Sequence, residues 1–153
     1  MKIALGADHA GFELKDKIKA WLGEHGYTVD DRGADSAASV DYPDYARAVG
    51  EEVAAGRAQL GILVCGTGMG MAMAANKVAG VRAANLTTEF EAEMLRAHND
   101  GNVLALGARV VNAEQAFKLV DKFLQTPFAG GRHQQRVDKI KAIERIESLR
   151  PSS

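Results

Sequence analysis

Two kinds of hydrophobic pattern alternate along the chain. Short apolar runs with the length and composition of β-strands occur at residues 3–7, 27–31, 60–65, 81–85 and 103–106. Elsewhere apolar side chains recur every three or four positions, which predicts helices at residues 14–25, 43–56, 71–77, 88–98, 113–125 and 134–149. Strands that alternate with helices are typical of an α/β domain.

The predicted fold is a doubly wound, three-layer, Rossmann-like domain with a five-stranded parallel sheet in the order 2-1-3-4-5. The third run is apolar throughout, as in a parallel strand that is buried on both faces. In a sheet of this order, ligands bind beyond the carboxyl ends of strands one and three, where the connections diverge. We therefore expect Asp8 and His9 to face Cys65, Gly66 and Thr67 across a single crevice.

Length and charge narrow the class of protein. A chain of 153 residues suits a single domain, here residues 1–153. The 19 Lys and Arg residues are balanced by 20 Asp and Glu, so we expect neither nucleic acid nor a membrane as partner. A single cysteine cannot form an internal disulfide, and Asp8 precedes any apolar run long enough for a signal peptide. These features predict a cytoplasmic protein without a transmembrane segment.

A glycine-rich segment, Gly-Thr-Gly-Met-Gly at residues 66–70, joins the third strand to the next helix. Glycines allow a tight turn, and the free N–H groups at a helix start can bind a phosphate or a developing oxyanion. The spacing matches neither the dinucleotide fingerprint nor the P-loop, and a plain strand-to-helix turn is the alternative interpretation. Cys65, directly before the segment, is either a small buried hydrophobic residue or a reactive thiolate beside a helix N-terminus.

Two further polar groups have both a structural and a chemical interpretation. His98, Asn99 and Asp100 end a helix before a buried strand, where they either cap the helix or supply acid–base groups. Arg132 and Arg136 lie four positions apart on one helix face, as a phosphate clamp or as a solvated basic face. The spacing of the four histidines matches no metal-binding motif, so no metal site is predicted.

The last predicted helix carries an unusual apolar stripe. Its apolar residues recur every three positions, so the stripe winds around the helix instead of staying on one side: Val137, Ile140, Ile143, Ile146 and Leu149. Cover by a partner subunit and burial in the core of the chain are both open explanations.

Taken together, these motifs resemble the sugar-phosphate isomerase family that contains ribose-5-phosphate isomerase type B and the galactose-6-phosphate and allose-6-phosphate isomerases. The resemblance covers residues 1–146 and is specific because the motifs occur in the family's order. The matching stretches are Gly6-Ala7-Asp8-His9-Ala10-Gly11, Ser39-Val40-Asp41-Tyr42-Pro43-Asp44-Tyr45, Cys65-Gly66-Thr67-Gly68-Met69-Gly70, Ala74-Ala75-Asn76-Lys77, His98-Asn99-Asp100, Asn102-Val103-Leu104, Gly107-Ala108-Arg109 and Gly130-Gly131-Arg132-His133.

The resemblance implies interconversion of D-ribose 5-phosphate and D-ribulose 5-phosphate through an enediolate. Cys65 matches the family's general base, and the backbone of residues 66–70, including Gly66, Gly68, Met69 and Gly70, matches the loop that stabilises the enediolate. By the same resemblance, the groups around the sugar hydroxyls and the ring-opening machinery are Thr67, Asp8, His98 and Asn99.

The resemblance also assigns the substrate-binding groups. Tyr42 matches a residue that lines the sugar, and the phosphate-binding set is His9, Arg109, Arg132 and Arg136. In the family, His98, Asn99 and part of the phosphate set reach the site from the adjacent subunit. The implied assembly is therefore a homodimer or a tetramer with shared sites, with no metal or organic cofactor.

Three functional hypotheses remain open on the sequence. The first is the isomerase that the resemblance implies. One branch of the family lacks the cysteine and uses a Glu in the helix after the loop. Here Cys65 is present and that helix contains Ala75, so the cysteine branch fits. An isomerase of another sugar phosphate (allose 6-phosphate, galactose 6-phosphate or a tetrose phosphate) is the first alternative. A phosphate-binding module without catalytic activity is the second.

Overall fold

The fold is described by a computed structural model over residues 1–151, so the last two residues of the expected 1–153 domain lie outside the described part. The strands are β1 (Lys2–Ala7), β2 (Thr28–Asp31), β3 (Leu60–Cys65), β4 (Ala83–Asn85) and β5 (Val103–Gly107). The helices are α1 (Phe12–Glu24), α2 (Tyr42–Ala54), α3 (Met69–Ala75), α4 (Glu89–Ala97), α5 (Ala113–Gln125) and α6 (Arg132–Ser148). The alternation of strands and helices predicted from the hydrophobic pattern is confirmed.

The five strands form one parallel sheet in the order β2-β1-β3-β5-β4. The predicted parallel α/β sheet is confirmed, but the predicted order 2-1-3-4-5 is wrong for the last two strands, because β5 pairs with β3 and β4 lies at the edge. The physical reason is burial. All five residues of β5 are buried, whereas β4 has three residues, none of them fully buried, and ends at the exposed Asn85.

The predicted fourth strand also loses its first two residues. Val81 and Arg82 precede β4, and Asn102 binds the backbone of Arg82 through both its side chain and its backbone. The Asn102 side-chain carbonyl accepts the Arg82 N–H at 2.7 Å, and the Asn102 N–H donates to the Arg82 carbonyl at 2.9 Å. Helix α5 has the predicted bounds because Asn112 and Gln115 form a capping box at its start.

A hydrophobic core covers each face of the sheet. Side chains of adjacent strand residues point to opposite faces, so Ile62 and Val64 join the core with α1, α4 and α5, while Leu63 and Cys65 join the core with α2 and α3. This alternation orients the Cys65 side chain toward the layer that contains the loop helix α3.

A buried lysine fixes the segment that follows β2. Lys15 on α1 is 1% exposed, and its Nζ donates to both carboxylate oxygens of Asp31 at 2.9 and 3.1 Å and to the Ala34 carbonyl at 2.6 Å. Asp31 also accepts the Gly33 N–H and the Lys19 ammonium. Beyond this anchor the chain continues through residues 35–41 to the start of α2.

The last helix is the least covered element. Within the described residues only Val137 of α6 is buried, while Ile140, Ile143 and Ile146 are 44%, 60% and 62% exposed. Core packing in one chain therefore does not account for the stripe. None of the helices in residues 1–151 is both long and apolar enough to cross a membrane.

Candidate active site

Cys65 lies at the carboxyl end of β3 with its sulfur under the loop that follows. The residue is 5% exposed, and its Sγ accepts a hydrogen bond from the Gly68 N–H at 3.1 Å. Gly68 directly precedes α3 and has φ +84°, a left-handed conformation that favours glycine. A Cβ at this position would lie 3.0 Å from the carbonyl carbon of Leu106 on β5. The loop therefore depends on glycine for its shape and for the amide that contacts the sulfur.

Asp8 and His9 follow β1, which pairs with β3, so both residues lie at the same edge of the sheet as Cys65. The Asp8 N–H donates to the Val64 carbonyl at 3.3 Å, and the buried Asp8 carboxylate accepts the Gly11 N–H at 3.0 Å. His9 is exposed, and its Nδ1 accepts the Val40 N–H at 3.2 Å, which leaves Nε2 as the protonated nitrogen of the neutral ring.

Arg109 and Tyr42 complete the rim of the crevice because two glycines make room for them. A Cβ on Gly66 would lie 3.2 Å from Nη1 of Arg109, and a Cβ on Gly70 would lie 2.5 Å from Cζ of Tyr42. Arg109 is also fixed through its backbone, since its N–H donates to the Gly66 carbonyl at 3.0 Å. The guanidinium of Arg109 and the phenol of Tyr42 thus flank the loop. Within the loop, Thr67 Oγ1 accepts the Met69 N–H at 3.2 Å.

A second polar cluster surrounds His98. The imidazoles of His98 and His133 stack with their centroids 4.1 Å apart, and Asn99, Arg132 and Arg136 join them around a pocket of about 400 Å³. Partial desolvation, followed by the charges of His98 and the two arginines, lowers the pKa of His133 below its ordinary value. The two guanidinium groups therefore give the cluster a positive charge, which is a suitable environment for an anion.

The two clusters lie at opposite ends of the parallel strands, which we call the carboxyl edge and the amino edge of the sheet. Cys65 is at the carboxyl edge, while α4 runs from that edge back to the amino edge and ends just before His98. The nine residues of α4 and the five residues of β5 are each roughly 14–16 Å long, so the two edges are separated by a distance of this order. Within residues 1–151 no hydrogen bond or ion pair joins the clusters.

The predicted site residues therefore divide into two groups. The carboxyl edge gathers Asp8, His9, Tyr42, Cys65, Gly66, Thr67, Gly68, Met69, Gly70 and Arg109. The amino edge gathers His98, Asn99, Arg132 and Arg136. The sequence reasoning did not single out His133 as a site residue. Its position directly after Arg132 was the available signal, but the stack depends on the Ala129 N–H donating to the Ala97 carbonyl, which sequence does not reveal.

Comparison with known proteins identifies the family of the chain. The model of the ribose/galactose isomerase family matches residues 3–140, which include both clusters. The chain belongs to the ribose/galactose isomerase family. Among the relatives of this family, ribose-5-phosphate isomerase B of Escherichia coli (strain K12) is 52% identical over 143 residues, covering 94% of this chain and 96% of that protein.

Solved structures of the family have the same fold. Ribose-5-phosphate isomerase B of Clostridium thermocellum superposes with a TM-score of 0.95 at 49% identity, covering 96% of this chain and 99% of that one. Ribose-5-phosphate isomerase B of Mycoplasma genitalium, solved with bound ribulose-5-phosphate, has a TM-score of 0.90 at 44% identity, covering 94% of this chain and 96% of that one.

Proposed function

We propose that the protein is an aldose–ketose isomerase that interconverts D-ribose 5-phosphate and D-ribulose 5-phosphate, a step of the pentose phosphate pathway. The observation that carries the proposal is the contact between the Cys65 sulfur and the Gly68 amide inside a glycine loop. The relatives named ribose-5-phosphate isomerase B, one of them with ribulose-5-phosphate bound, support this substrate.

The proposed reaction moves one proton from C2 to C1 and a second from O2 to O1. The Cys65 thiolate removes the proton from C2 of the open-chain aldose, and the C2–H electron pair forms the C1=C2 bond of an enediolate. The carbonyl π electrons move to O1, where backbone N–H groups of Gly66 to Gly70 stabilise the negative charge. The proton of the C2 hydroxyl then passes from O2 to O1, the thiol returns its proton to C1, and the electron pair left on O2 forms the carbonyl at C2.

A thiolate is a weak base for removing a proton from carbon, so the loop must stabilise the enediolate strongly. A C–H beside a carbonyl is less acidic than a thiol by several powers of ten. Each well-placed oxyanion donor is worth roughly 3–4 kcal/mol in other enzymes. Several amides directed at one oxygen close that gap, which explains why a glycine-rich turn and the cysteine occur together.

Ring opening and phosphate binding use the remaining groups. We infer that His98, together with Asp8 and Thr67 near the sugar hydroxyls, opens the furanose ring by proton transfer to and from its oxygens, and that Asn99 binds the substrate beside His98. His9, Arg109, Arg132 and Arg136 bind the phosphate, because guanidinium groups form charge-assisted, bidentate hydrogen bonds with it. Tyr42 lines the sugar. A protein with a net charge of −1 thus concentrates positive charge where one phosphate binds.

We further propose that each site forms from two chains of a homodimer, in which the His98 cluster of one chain faces the Cys65 cluster of its partner. The separation of the two clusters at opposite sheet edges supports this arrangement. The exposed apolar side chains of Ile140, Ile143 and Ile146 supply a surface for the contact between chains. Tetramers built from such dimers satisfy the same requirement.

The substrate assay uses the purified chain and a panel of aldose phosphates. Ketose formation is followed spectroscopically with ribose 5-phosphate, allose 6-phosphate, galactose 6-phosphate and erythrose 4-phosphate. We expect the highest kcat/KM with ribose 5-phosphate. A higher kcat/KM with a hexose or tetrose phosphate would identify that sugar phosphate as the substrate. Binding of sugar phosphates without ketose formation from any of them would identify a phosphate-binding module without catalytic activity.

Complementation between two inactive variants tests the shared site. Cys65→Ala and His98→Gln are each expected to be inactive, but mixed and re-equilibrated subunits form heterodimers with one intact site. Random pairing predicts recovery of about one quarter of wild-type activity, because half of the dimers are mixed and each has one working site of two. No recovery from subunits that demonstrably exchange would place each site within one chain.

A cytoplasmic location remains part of the proposal. It is supported by the dependence of the proposed chemistry on a reduced thiol at Cys65, the only cysteine of the chain.

A further inference from the structure

The turn that carries His98 and Asn99 is fixed by two arginines around one aspartate. Arg96 on α4 contacts Asp100 Oδ1 through Nη1 at 3.0 Å, and Arg82 before β4 lies 3.4 Å from Oδ2 through Nη2. The side chains of Arg82 and Arg96 are 15% and 14% exposed, so both charges are largely withdrawn from water. We call Arg82, Arg96 and Asp100 the Asp100 clamp.

The same guanidinium groups bind the backbone of the turn. Arg82 donates to the Asn99 carbonyl through Nε at 3.1 Å and to the Asp100 carbonyl through Nη2 at 2.7 Å. Arg96 donates to the Gly101 carbonyl through Nη1 at 2.7 Å. Three successive carbonyls are therefore bound by side chains from two separate segments of the chain, and Asn102 connects Arg82 to the start of β5. The clamp fixes the end of α4 relative to the sheet.

Asp100 has a backbone conformation that a smaller residue would adopt more easily. Its φ is +46°, and within residues 1–151 it is the one non-glycine residue with positive φ. Glycine is the usual residue there because it has no Cβ to clash. Glycine would leave the two partly buried guanidinium groups without a counter-charge, which is costly in a partly desolvated position. The carboxylate, and not the turn shape alone, accounts for the aspartate.

The side chains carried by this fixed turn are themselves unengaged. Over the described residues 1–151, neither the His98 imidazole nor the Asn99 amide forms a hydrogen bond, and the imidazole contacts only the stacked ring of His133 among the aromatic groups. A rigid backbone that presents two free polar side chains is the arrangement expected of groups that act on something outside the chain.

We propose that Arg82, Arg96 and Asp100 are positioning residues that hold His98 and Asn99 in the geometry required for opening the sugar ring; this role rests on the proposed function. The clamp acts through the turn and does not touch the substrate. Its loss is therefore expected to slow ring opening and closing while leaving the proton transfer at Cys65 intact.

The chemistry of the two sugars separates these steps. Ribose 5-phosphate is cyclic because O4 closes a five-membered ring on C1, whereas ribulose 5-phosphate stays open because the hydroxyl needed for its ring is phosphorylated. In D2O, loss of the C1 proton of ribulose 5-phosphate to solvent reports enediolate formation by Cys65 alone. Appearance of cyclic ribose 5-phosphate reports that step together with ring closure.

The experiment measures both rates by NMR for Asp100→Asn and Asp100→Gly. Asparagine tolerates positive φ and glycine adopts it freely, so both variants remove the charge without forcing a new backbone. We expect ribose formation to fall at least about tenfold through misplacement of His98 while C1 exchange stays within about twofold of wild type. Arg82→Lys, which keeps the charge but loses the bonds to two carbonyls, should show the same split.

Controls make the outcome decisive. Arg47→Gln breaks an exposed ion pair with Glu51 on α2 and should change neither rate. Equal loss of exchange and ribose formation in folded Asp100 variants would reduce the clamp to a structural role, and two unchanged rates would remove its role altogether. Wild-type protein that catalyses neither reaction would overturn the proposed function itself and the clamp's role with it.

Discussion

The backbone N–H of Gly68 donates a hydrogen bond to the sulfur of Cys65 across 3.1 Å. A hydrogen bond to a charged acceptor is stronger than one to a neutral acceptor, so this contact suits a thiolate. When a substrate is bound, the same loop must direct its other amides at an oxygen on the sugar. One turn of five residues thereby serves both the base and the charge that the base creates.

Replacing the base should stop the reaction without unfolding the chain. In Cys65→Ala we expect isomerisation to fall by about 10²–10⁴-fold, the range associated with loss of a general base. Both C1 exchange and ribose formation are lost, unlike in the clamp variants, because the enediolate no longer forms. Circular dichroism and the thermal midpoint serve as folding controls, and Met71→Leu on the buried face of α3 is the matched core substitution. Near-normal turnover in Cys65→Ala would reject the assignment of the base.

The left-handed glycine of the loop should be intolerant of a side chain. Gly68→Ala forces an alanine to φ +84°, and the new Cβ lies 3.0 Å from the Leu106 backbone, so we expect a loss of about 1–2 kcal/mol in the free energy of unfolding. We also expect kcat/KM to fall, because the Gly68 amide that contacts the Cys65 sulfur moves.

Gly23→Ala is the matched control for that experiment. Gly23 lies inside α1, and a Cβ there would meet nothing within 4 Å. Alanine in an exposed helical position should raise the free energy of unfolding by about 0.5–1 kcal/mol. Urea unfolding of the two variants checks both signs. A Gly68→Ala variant as stable and as active as Gly23→Ala would contradict the role of the loop geometry.

Loss of one phosphate-binding arginine should weaken binding of every phosphorylated ligand. For Arg132→Gln we expect kcat/KM to fall about 10–100-fold, equivalent to one charge-assisted hydrogen bond of 1.5–3 kcal/mol. Inhibition by inorganic phosphate should weaken in parallel, because it occupies the same subsite. Arg145→Gln, in the last turn of the same helix, is the control. Unchanged phosphate inhibition in Arg132→Gln would remove Arg132 from the site.

The pH dependence of stability should report the anchor at Asp31. Burial alone raises the pKa of the Asp31 carboxyl, but hydrogen bonds from Lys15, the Gly33 amide and Lys19 outweigh it and lower the pKa below its ordinary value of 3.8. A carboxyl with a lowered pKa stabilises the fold above its unfolded pKa and loses that contribution as the pH falls through the folded pKa.

Asp31→Asn should therefore be less stable than wild type at pH 6–7, and the difference should shrink below about pH 4. Thermal midpoints measured across this pH range test the sign. Asp121→Asn on α5 is the control, since within residues 1–151 the Asp121 carboxylate makes no ion pair or hydrogen bond. A stability gap between wild type and Asp31→Asn that persists unchanged at pH 3 would contradict the lowered pKa.

The sequence predicts this fold well where local chemistry decides. The apolar run that ends at Cys65 and the capping residue Asn112 determine their elements from local signals, and β3 and α5 have the expected bounds. The order of β4 and β5 was not predicted, because it depends on which strand gains more from burial on both faces. That comparison becomes visible only when Ala83 and Val103 are seen to pair.

The sequence proposes the residues of the candidate site but not their arrangement. The motifs around Asp8, Cys65 and His98 each have a local signature in the sequence. Their separation into two edges follows from the direction in which α4 runs. The stack of His98 on His133 joins residues 35 positions apart, and no local sequence signal predicts such a contact. The Asp100 clamp was missed for the same reason, since Arg82 lies 18 positions from Asp100.

The distance between His98 and Cys65 within one chain ties the rate to the amount of protein present. In the proposed dimer, a newly made chain carries two half-sites and no complete site, so it is inactive until it forms a dimer with a second copy. Specific activity should then decline on dilution through the dissociation constant of the dimer and return on concentration. A chain with a defective Cys65 would still complete one site of every normal partner while spoiling the other.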